Sequence, residues 1–249
     1  MFIESVTVCV GYADFLAQTL PHNLQHFDRM LVVTSYDDKE TQRLCHDLSV
    51  ECKQTDVMYH RGDDFAKGRA IDFGLGFLAR TDWLVQLDAD IYLPPTTRSW
   101  LDTADLDEDV IYGMDRMTCL GYDKWKQYLG NGPVHQHRQH CLVIPPPFPM
   151  GARISLREHS GYIPIGAYQM WHGKHQRRYP LIQGSAEHTD VLHALQWPHD
   201  KRLLIPELIA IHLESEVGPM GHNWHGRTTK RFGPEPLAQS DKPVYSYFG

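Results

Sequence analysis

The sequence predicts an α/β fold, a mostly parallel central sheet flanked by helices, with an irregular insertion in its second half. Three observations carry this expectation. Short apolar or β-branched runs alternate with helix-like text through residues 1–95, the pattern of parallel strands joined by covering helices. The fourth run, in "DWLVQLDADIYLPP" (Asp82 to Pro95), ends in two acids, at the strand end where open α/β sheets place their ligands. Finally, 249 residues with 42% hydrophobic content bury one substantial core, so 1–249 is expected to be a single domain.

Taken in order, Val6 to Val10 ("VTVCV") and Met30 to Thr34 ("MLVVT") suit buried strands, because branched side chains pack well on a pleated surface. Between them "YADFLAQTLPHNLQHF" reads as a helix capped by Asp14, with Pro21 marking a kink or a break. "SYDDKETQRLCHDL" opens a second helix with acids in its first turn, where the helix dipole favours them. A third strand is expected within Val50 to Tyr59. The third helix, "FAKGRAIDFGLGFLAR", repeats apolar positions at Ala70, Ile71, Leu75 and Leu78, while Gly68, Gly74 and Gly76 weaken its regularity. "WLVQL" is the fourth strand.

Farther along, "DVIYGMD" reads as a strand and "CLGYDKWKQYL" as a helix. Residues 130–158 are rich in Gly, Pro and His, and Pro145 to Pro147 exclude ladder pairing there, which predicts a long functional loop. "GYIPIGAYQMWH" follows as a strand with a glycine bend, "SAEHTDVLHALQW" as a capped helix, and "KRLLIP" and "ELIAIHLE" as two closing strands.

Composition excludes several functions. A net charge of −7 and a pI near 6.1 leave no broad basic surface for nucleic acid or an anionic membrane, although "HGKHQRR" and "HGRTTKR" leave room for a local phosphate-binding groove. The N-terminal "MFIESVTVCVGYADF" lacks a basic region and a cleavage site, and no stretch reaches the roughly 18 to 20 apolar residues of a spanning helix. Five cysteines, an odd number in a chain too large to need disulfide staples, point to a reducing, cytoplasmic setting.

Two residues apart in extended chain, Asp88 and Asp90 would share one face of the strand end. Two carboxylates that close are costly to ionise together unless a cation sits between them, and their oxygens suit Mg²⁺ or Mn²⁺. A solvated turn or a helix cap is the plainer role for such a pair. His135, His137, His140 and Cys141 lie close together in "HQHRQHC", ligand types that Zn²⁺ accepts, but the spacing is not that of a standard finger and a polar loop explains it equally well. Trp171, Trp197 and Trp224 could pack under sugar rings or simply fill core.

These residues resemble the nucleotide-sugar-dependent glycosyltransferases of the GT-A fold, especially the inverting family-2-like group. "LVQLDADIYLPP" looks like their DxD motif, "FAKGRAIDFGL" like the segment before it, "AEHTDVLHALQW" like the acidic region opening the acceptor-side helix, and "IHLESEVGPMGHNWHGR" like the C-terminal His motif. The match covers 5–95 and, in outline, 160–230. The resemblance implies a nucleotide-binding half (1–95), an acceptor-side half (96–225) and a C-terminal tail (226–249).

It further implies a metal held by Asp90 and His212, with Asp88 a metal ligand or a ribose or water-mediated contact. Val10 and Tyr12 would surround the base; Thr34 with Asp37 or Asp38 would meet uracil and ribose. Lys67 would reach ribose or phosphate, and Asp72 stands where relatives often carry Asn. Arg227 and Lys230 would contact the diphosphate. Asp190 is the candidate base, Glu187 the second, and either could instead cap its helix.

The implied activity moves a sugar, with inversion, from a nucleotide donor such as a UDP-sugar to a hydroxyl acceptor. That acceptor is a glycan or, as in phage-type enzymes, a hydroxymethylated base in modified DNA. A nucleotidyltransferase and a catalytically silent nucleotide- or sugar-binding module are the rivals, the former disfavoured because "VGYADFLAQ" is not a glycine-rich phosphate loop.

Overall fold

The computed structural model describes residues 1–131, 156–157, 161–215 and 223–233. Its first half follows the expected alternation. β1 (Ile3–Val8) is buried throughout and is followed by α1 (Ala13–Asn23), β2 (Arg29–Thr34), α2 (Lys39–Asp47) and the short β3 (Glu51–Gln54). α3 (Lys67–Leu75) leads into β4 (Trp83–Leu87), β5 (Ile91–Tyr92) and α4 (Thr97–Thr103).

Local chemistry corrects two expectations here. Tyr12, not Asp14, is the residue before α1, and Asp14 sits inside the first turn; Pro21 is accommodated within the helix, which ends two residues later. Asp38 caps α2, its side chain accepting from the Thr41 N–H at 3.0 Å.

The second half contains β6 (Ile111–Leu120), α5 (Tyr122–Asn131), the hairpin of β7 (Leu156–Arg157) with β8 (Gly161–Tyr162), β9 (Tyr168–His172), α6 (Thr189–Ala194) and β10 (Arg202–Glu214). β6 runs past Asp115, where the sequence suggested a helix by Cys119. The two expected closing strands are one strand, whose register against β6 shifts between Leu204 and Ile209. Pro206 lies in that gap and has no N–H to offer the ladder.

The main sheet has the order β3-β2-β1-β4-β9-β6-β10-β5. Its first four strands are parallel, as are β6 and β10, whereas β9 is antiparallel to β4 and β6, and β5 to β10. Strand alternation sends Ile3, Val32, Val85 and Leu87 toward α1, with its Leu16 and Leu20, and Val6, Val8, Leu31 and Val33 toward α3, with Ala70, Ile71 and Leu75. The α3 glycines weaken helix propensity but permit close approach. A Cβ on Gly74 would stand 2.6 Å from Val6 Cγ2 and 2.7 Å from Val33 Cγ2, so the helix lies directly on β1 and β2.

Residues 223–233 return to α1. The Arg227 guanidinium pairs with Asp14 at 2.6 and 2.7 Å and lies over the rings of Tyr12 and Phe15, while Phe232 stacks on Phe15. Among the described residues no helix is long and apolar enough to cross a membrane, and Cys9, Cys45, Cys52 and Cys119 are all free. Cys141, with His135, His137 and His140, lies outside the described residues.

Candidate active site

A cavity of about 830 Å³ opens at the carboxyl ends of β1 and β4. Its wall includes Val10, Tyr12, Lys67, Asp88, Asp90, Asp190 and His212, side chains from opposite ends of the chain. The two acids do not continue β4 in extended form, as the sequence suggested. The Ile91 N–H donates to the Asp88 carbonyl at 3.2 Å, closing a tight turn, and the Thr19 hydroxyl donates to the Ala89 carbonyl at 2.6 Å. The turn gives each carboxylate its own partner.

Asp88 Oδ1 accepts from the Lys67 ammonium and, at 2.6 Å, from the Gln86 side-chain amide. Gln86 is two residues earlier on β4, so it faces the same way. Asp90 turns instead to β10. The two-residue pairing of β5 with β10 sets Ile91 beside His212, and the Leu213 N–H donates to the Asp90 carbonyl at 2.8 Å. Asp90 Oδ2 consequently lies 3.4 Å from His212 Nε2, while His212 Nδ1 lies 3.3 Å from the buried Glu214 carboxylate.

These partners split the acids electrostatically. Burial lifts the Asp88 carboxyl above its ordinary range, Asp90 adding to the rise and Lys67 opposing it. For Asp90 burial pushes the same way, but His212 and Lys67 outweigh it and hold the carboxyl below its ordinary range. Lys67 is desolvated too, yet Asp88, Asp190 and Asp90 together raise it.

Asp90 Oδ1 is buried without a hydrogen-bond partner, the kind of orphaned oxygen that a cation would satisfy. One carboxylate oxygen and one imidazole nitrogen fit Mn²⁺ or Mg²⁺, and the Glu214 carboxylate lies beside the other ring nitrogen, which has no hydrogen-bond partner among the described residues. Among the described residues no three acidic, histidine or cysteine side chains converge closely enough to enclose an ion by themselves. Asp88 is drawn away by Lys67.

Asp190, in the first turn of α6, is fixed by the backbone: Oδ1 accepts from the Val191 N–H at 2.9 Å and Oδ2 from the Gly166 N–H. Gly166 leaves both acids room. A Cβ there would stand 3.0 Å from Asp190 Oδ2 and 3.4 Å from Asp88 Oδ2. Behind them the buried Gln169 has all its hydrogen-bonding groups met. Its amide donates to the carbonyls of Pro164 and Asp190, each at 2.8 Å, and its oxygen accepts from the Tyr179 hydroxyl and from His193 Nδ1 at 3.0 Å.

His193 itself stacks on Tyr179 with ring centroids 3.9 Å apart, and Trp171 and Trp197 meet it edge-on. Burial, with Arg177 and Arg80 adding to it, pushes its pKa from 6.5 down to about 3. The unfolded chain therefore takes up a proton near pH 6.5 that the native state refuses until about pH 3, so stability is held above 6.5 and falls as pH drops through this window. At about 1.36 kcal/mol per unit the loss from this one ring reaches several kcal/mol at most. His193→Phe is expected to flatten the melting temperature between pH 6.5 and 4; an unchanged slope would exclude His193 as its source.

The remaining expected site residues scatter. Thr34, Asp37 and Asp38 do not line the cavity, the Asp38 carboxylate being engaged by Thr34, Thr41 and the Gly11 N–H. Asp72 pairs with Arg178, and Glu187 is half-buried and pairs with the exposed His188 at 3.1 Å. Arg227 reaches the cavity wall but is committed to Asp14; Lys230 is exposed, off the wall, and its carbonyl accepts from Arg227. Trp171 and Trp197 are buried core, whereas Trp224 lines the cavity. The sequence reading missed Gln86 and Glu214, each two residues along a strand from a site residue and hence on its face. It also missed Arg116, which lies in the cavity wall.

No protein-family model and no curated protein matches the sequence. Comparison with solved structures does find likenesses. Glucosyl-3-phosphoglycerate synthase from Mycobacterium tuberculosis, in complex with Mn²⁺ and uridine-diphosphate-glucose, matches with a TM-score of 0.51 and 11% identity, over 85% of this chain and 69% of its own. The same synthase with phosphoglyceric acid also bound gives 0.49 and 11%, over 85% and 71%. Mannosyl-3-phosphoglycerate synthase from Rubrobacter xylanophilus gives 0.36 and 18%, over 49% and 41%. With its curled, mostly parallel eight-stranded sheet between helices, the chain has the fold of the GT-A glycosyltransferases.

Proposed function

We propose that the protein is a metal-dependent glycosyltransferase that moves a sugar from a nucleotide-sugar donor to a hydroxyl acceptor. The observation that carries this is the meeting of Asp90 with His212 in the wall of a cavity that also holds Asp190. The share of the fold with a synthase solved with Mn²⁺ and UDP-glucose favours a UDP-sugar as donor.

In this reading Asp90 and His212 would hold the ion, with Glu214 beside the imidazole. When bound there, a divalent ion would supply neutralisation of the charge that builds on the departing nucleotide. Lys67, fixed by Asp88, presents its ammonium to the ribose or a phosphate, and Val10 and Tyr12 flank the base. Asp190 accepts the proton of the attacking hydroxyl as its oxygen bonds to the anomeric carbon. The bond from that carbon to the phosphate oxygen breaks on the far side, so the sugar is transferred with inversion and nucleoside diphosphate leaves.

A donor screen tests this. UDP with Mn²⁺ is expected to raise the melting temperature, and UDP is expected to be released from a UDP-sugar only when Mn²⁺ is present. Binding without turnover of any donor would instead mark a silent binding module, and release of pyrophosphate from a nucleoside triphosphate with a sugar phosphate would mark a nucleotidyltransferase.

A further inference from the structure

The cavity wall contains a positive charge that nothing in the described chain neutralises. Arg116, on β6, is only 7% exposed, and its Nε and Nη1 are buried with no hydrogen-bond partner among the described residues. The other ionic groups of the wall are matched. Lys67 has Asp88, Arg227 has Asp14, Asp90 has His212, and Asp190 has two backbone N–H groups. An isolated buried charge costs several kcal/mol, a cost that an incoming counter-ion removes.

Strand register says where that counter-ion would sit. Thr118 pairs with His212 and Arg116 with Ala210, so Arg116 lies on the same sheet face as His212, two residues back, roughly 7 Å along the strand. Between them the Thr118 hydroxyl is also buried and unpartnered. On its other side Arg116 is close enough to Tyr162 to act on its phenol electrostatically. Tyr162 leads into the 163–167 loop, whose Gly166 N–H holds Asp190.

We propose that Arg116 is the recognition point for an anionic acceptor: a hydroxyl compound carrying a carboxylate or phosphate group close to the hydroxyl that attacks. This rests on the glycosyltransferase reading above. The donor's diphosphate would be served by an ion held at Asp90 and His212, near the carboxyl ends of the strands, whereas Arg116 stands two residues deeper along β6. An anion held there places its own hydroxyl between the base and the donor. A guanidinium also offers two parallel donors to two oxygens of one carboxylate or phosphate, which suits it to this task better than a lysine. A neutral glycan would leave the charge unmet.

The test is calorimetry on the full chain, saturated with UDP and Mn²⁺ and titrated with glycerol 3-phosphate, glycerate and glycerol. At least one charged probe is expected to bind and glycerol is not; which of the two binds more tightly separates a phosphate from a carboxylate preference. Arg116→Met is expected to weaken the charged probe by at least about tenfold, the worth of one charge-assisted contact, while UDP with Mn²⁺ binds within about threefold of the wild type.

The proposal is overturned if neither charged probe binds, if glycerol binds as well as they do, or if Arg116→Met binds the anion as the wild type does. It is equally overturned if Arg116→Met loses UDP affinity by the same factor, which would assign the guanidinium to the donor. Should that variant not fold, Arg116→Lys carries the comparison, because it keeps the charge and loses the fork; a several-fold weaker anion is expected, and wild-type affinity overturns the proposal. Failure of the wild type to bind UDP and Mn²⁺ would sink the glycosyltransferase reading alone. The same anion titrations without nucleotide would then decide Arg116 by itself.

Discussion

Asp90→Asn is expected to lower metal-dependent donor turnover by about 100- to 1000-fold with little change in the fold. A bound divalent ion supplies several kcal/mol of charge stabilisation, and each 1.36 kcal/mol is about tenfold in rate. Asparagine keeps the shape of the side chain and can still face His212, but it removes the anionic oxygen that has no protein partner. Its loss therefore falls on the ion and not on packing. A second readout is independent of turnover: ligand at 100 times its Kd stabilises the native state by about 2.7 kcal/mol, so Mn²⁺ with UDP should raise the melting temperature of the wild type and not of the variant at the same concentrations. An equal shift in both would remove Asp90 from the metal site.

Asp190→Asn should separate chemistry from binding. A positioned general base contributes about 100- to 10,000-fold, so kcat for transfer should fall within that range, while UDP with Mn²⁺ binds within about threefold of the wild type. The cost to stability has a definite origin. Both carboxylate oxygens accept a backbone N–H, from Val191 and Gly166, and an amide group can accept only one of them. Leaving one of these partly buried donors unsatisfied costs about 1 kcal/mol, visible as a lower melting temperature. If donor affinity collapses together with kcat, Asp190 belongs to the donor site and some other group takes the proton.

How far the sequence reaches depends on whether the signal is local. β1, β2 and β4, with the helices after β1 and β2, are legible because branched runs and, for each helix, acids in its opening turn encode them nearby. Asp88 and Asp90 are legible as residues of the cavity wall because they follow a buried strand. What local pattern misses is partner choice. Nothing in "LDADIY" says that a backbone bond from Ile91 to Asp88 turns one acid to Lys67 and the other to His212. Asp38 looks like a nucleotide contact and is a helix cap, because Thr41 stands three residues on to receive it. Arg116 is invisible for the opposite reason: a charge within a strand reads as the strand's end, whereas β6 continues through it to Leu120 because a cavity, not apolar core, receives the side chain.

The two-residue pairing of β5 with β10 bears on how the chain matures. Asp90 lies before the middle of the chain, yet the imidazole that faces it belongs to the last described strand of the sheet, so the two ligands proposed for the ion cannot meet until β10 has docked. A nascent or truncated polypeptide that already displays the β4 turn would hold the metal through a single carboxylate at best. Competence would therefore arrive in one step at the end of folding, and the cation, once gripped, would act as a latch that tethers the final strand to the early half of the molecule.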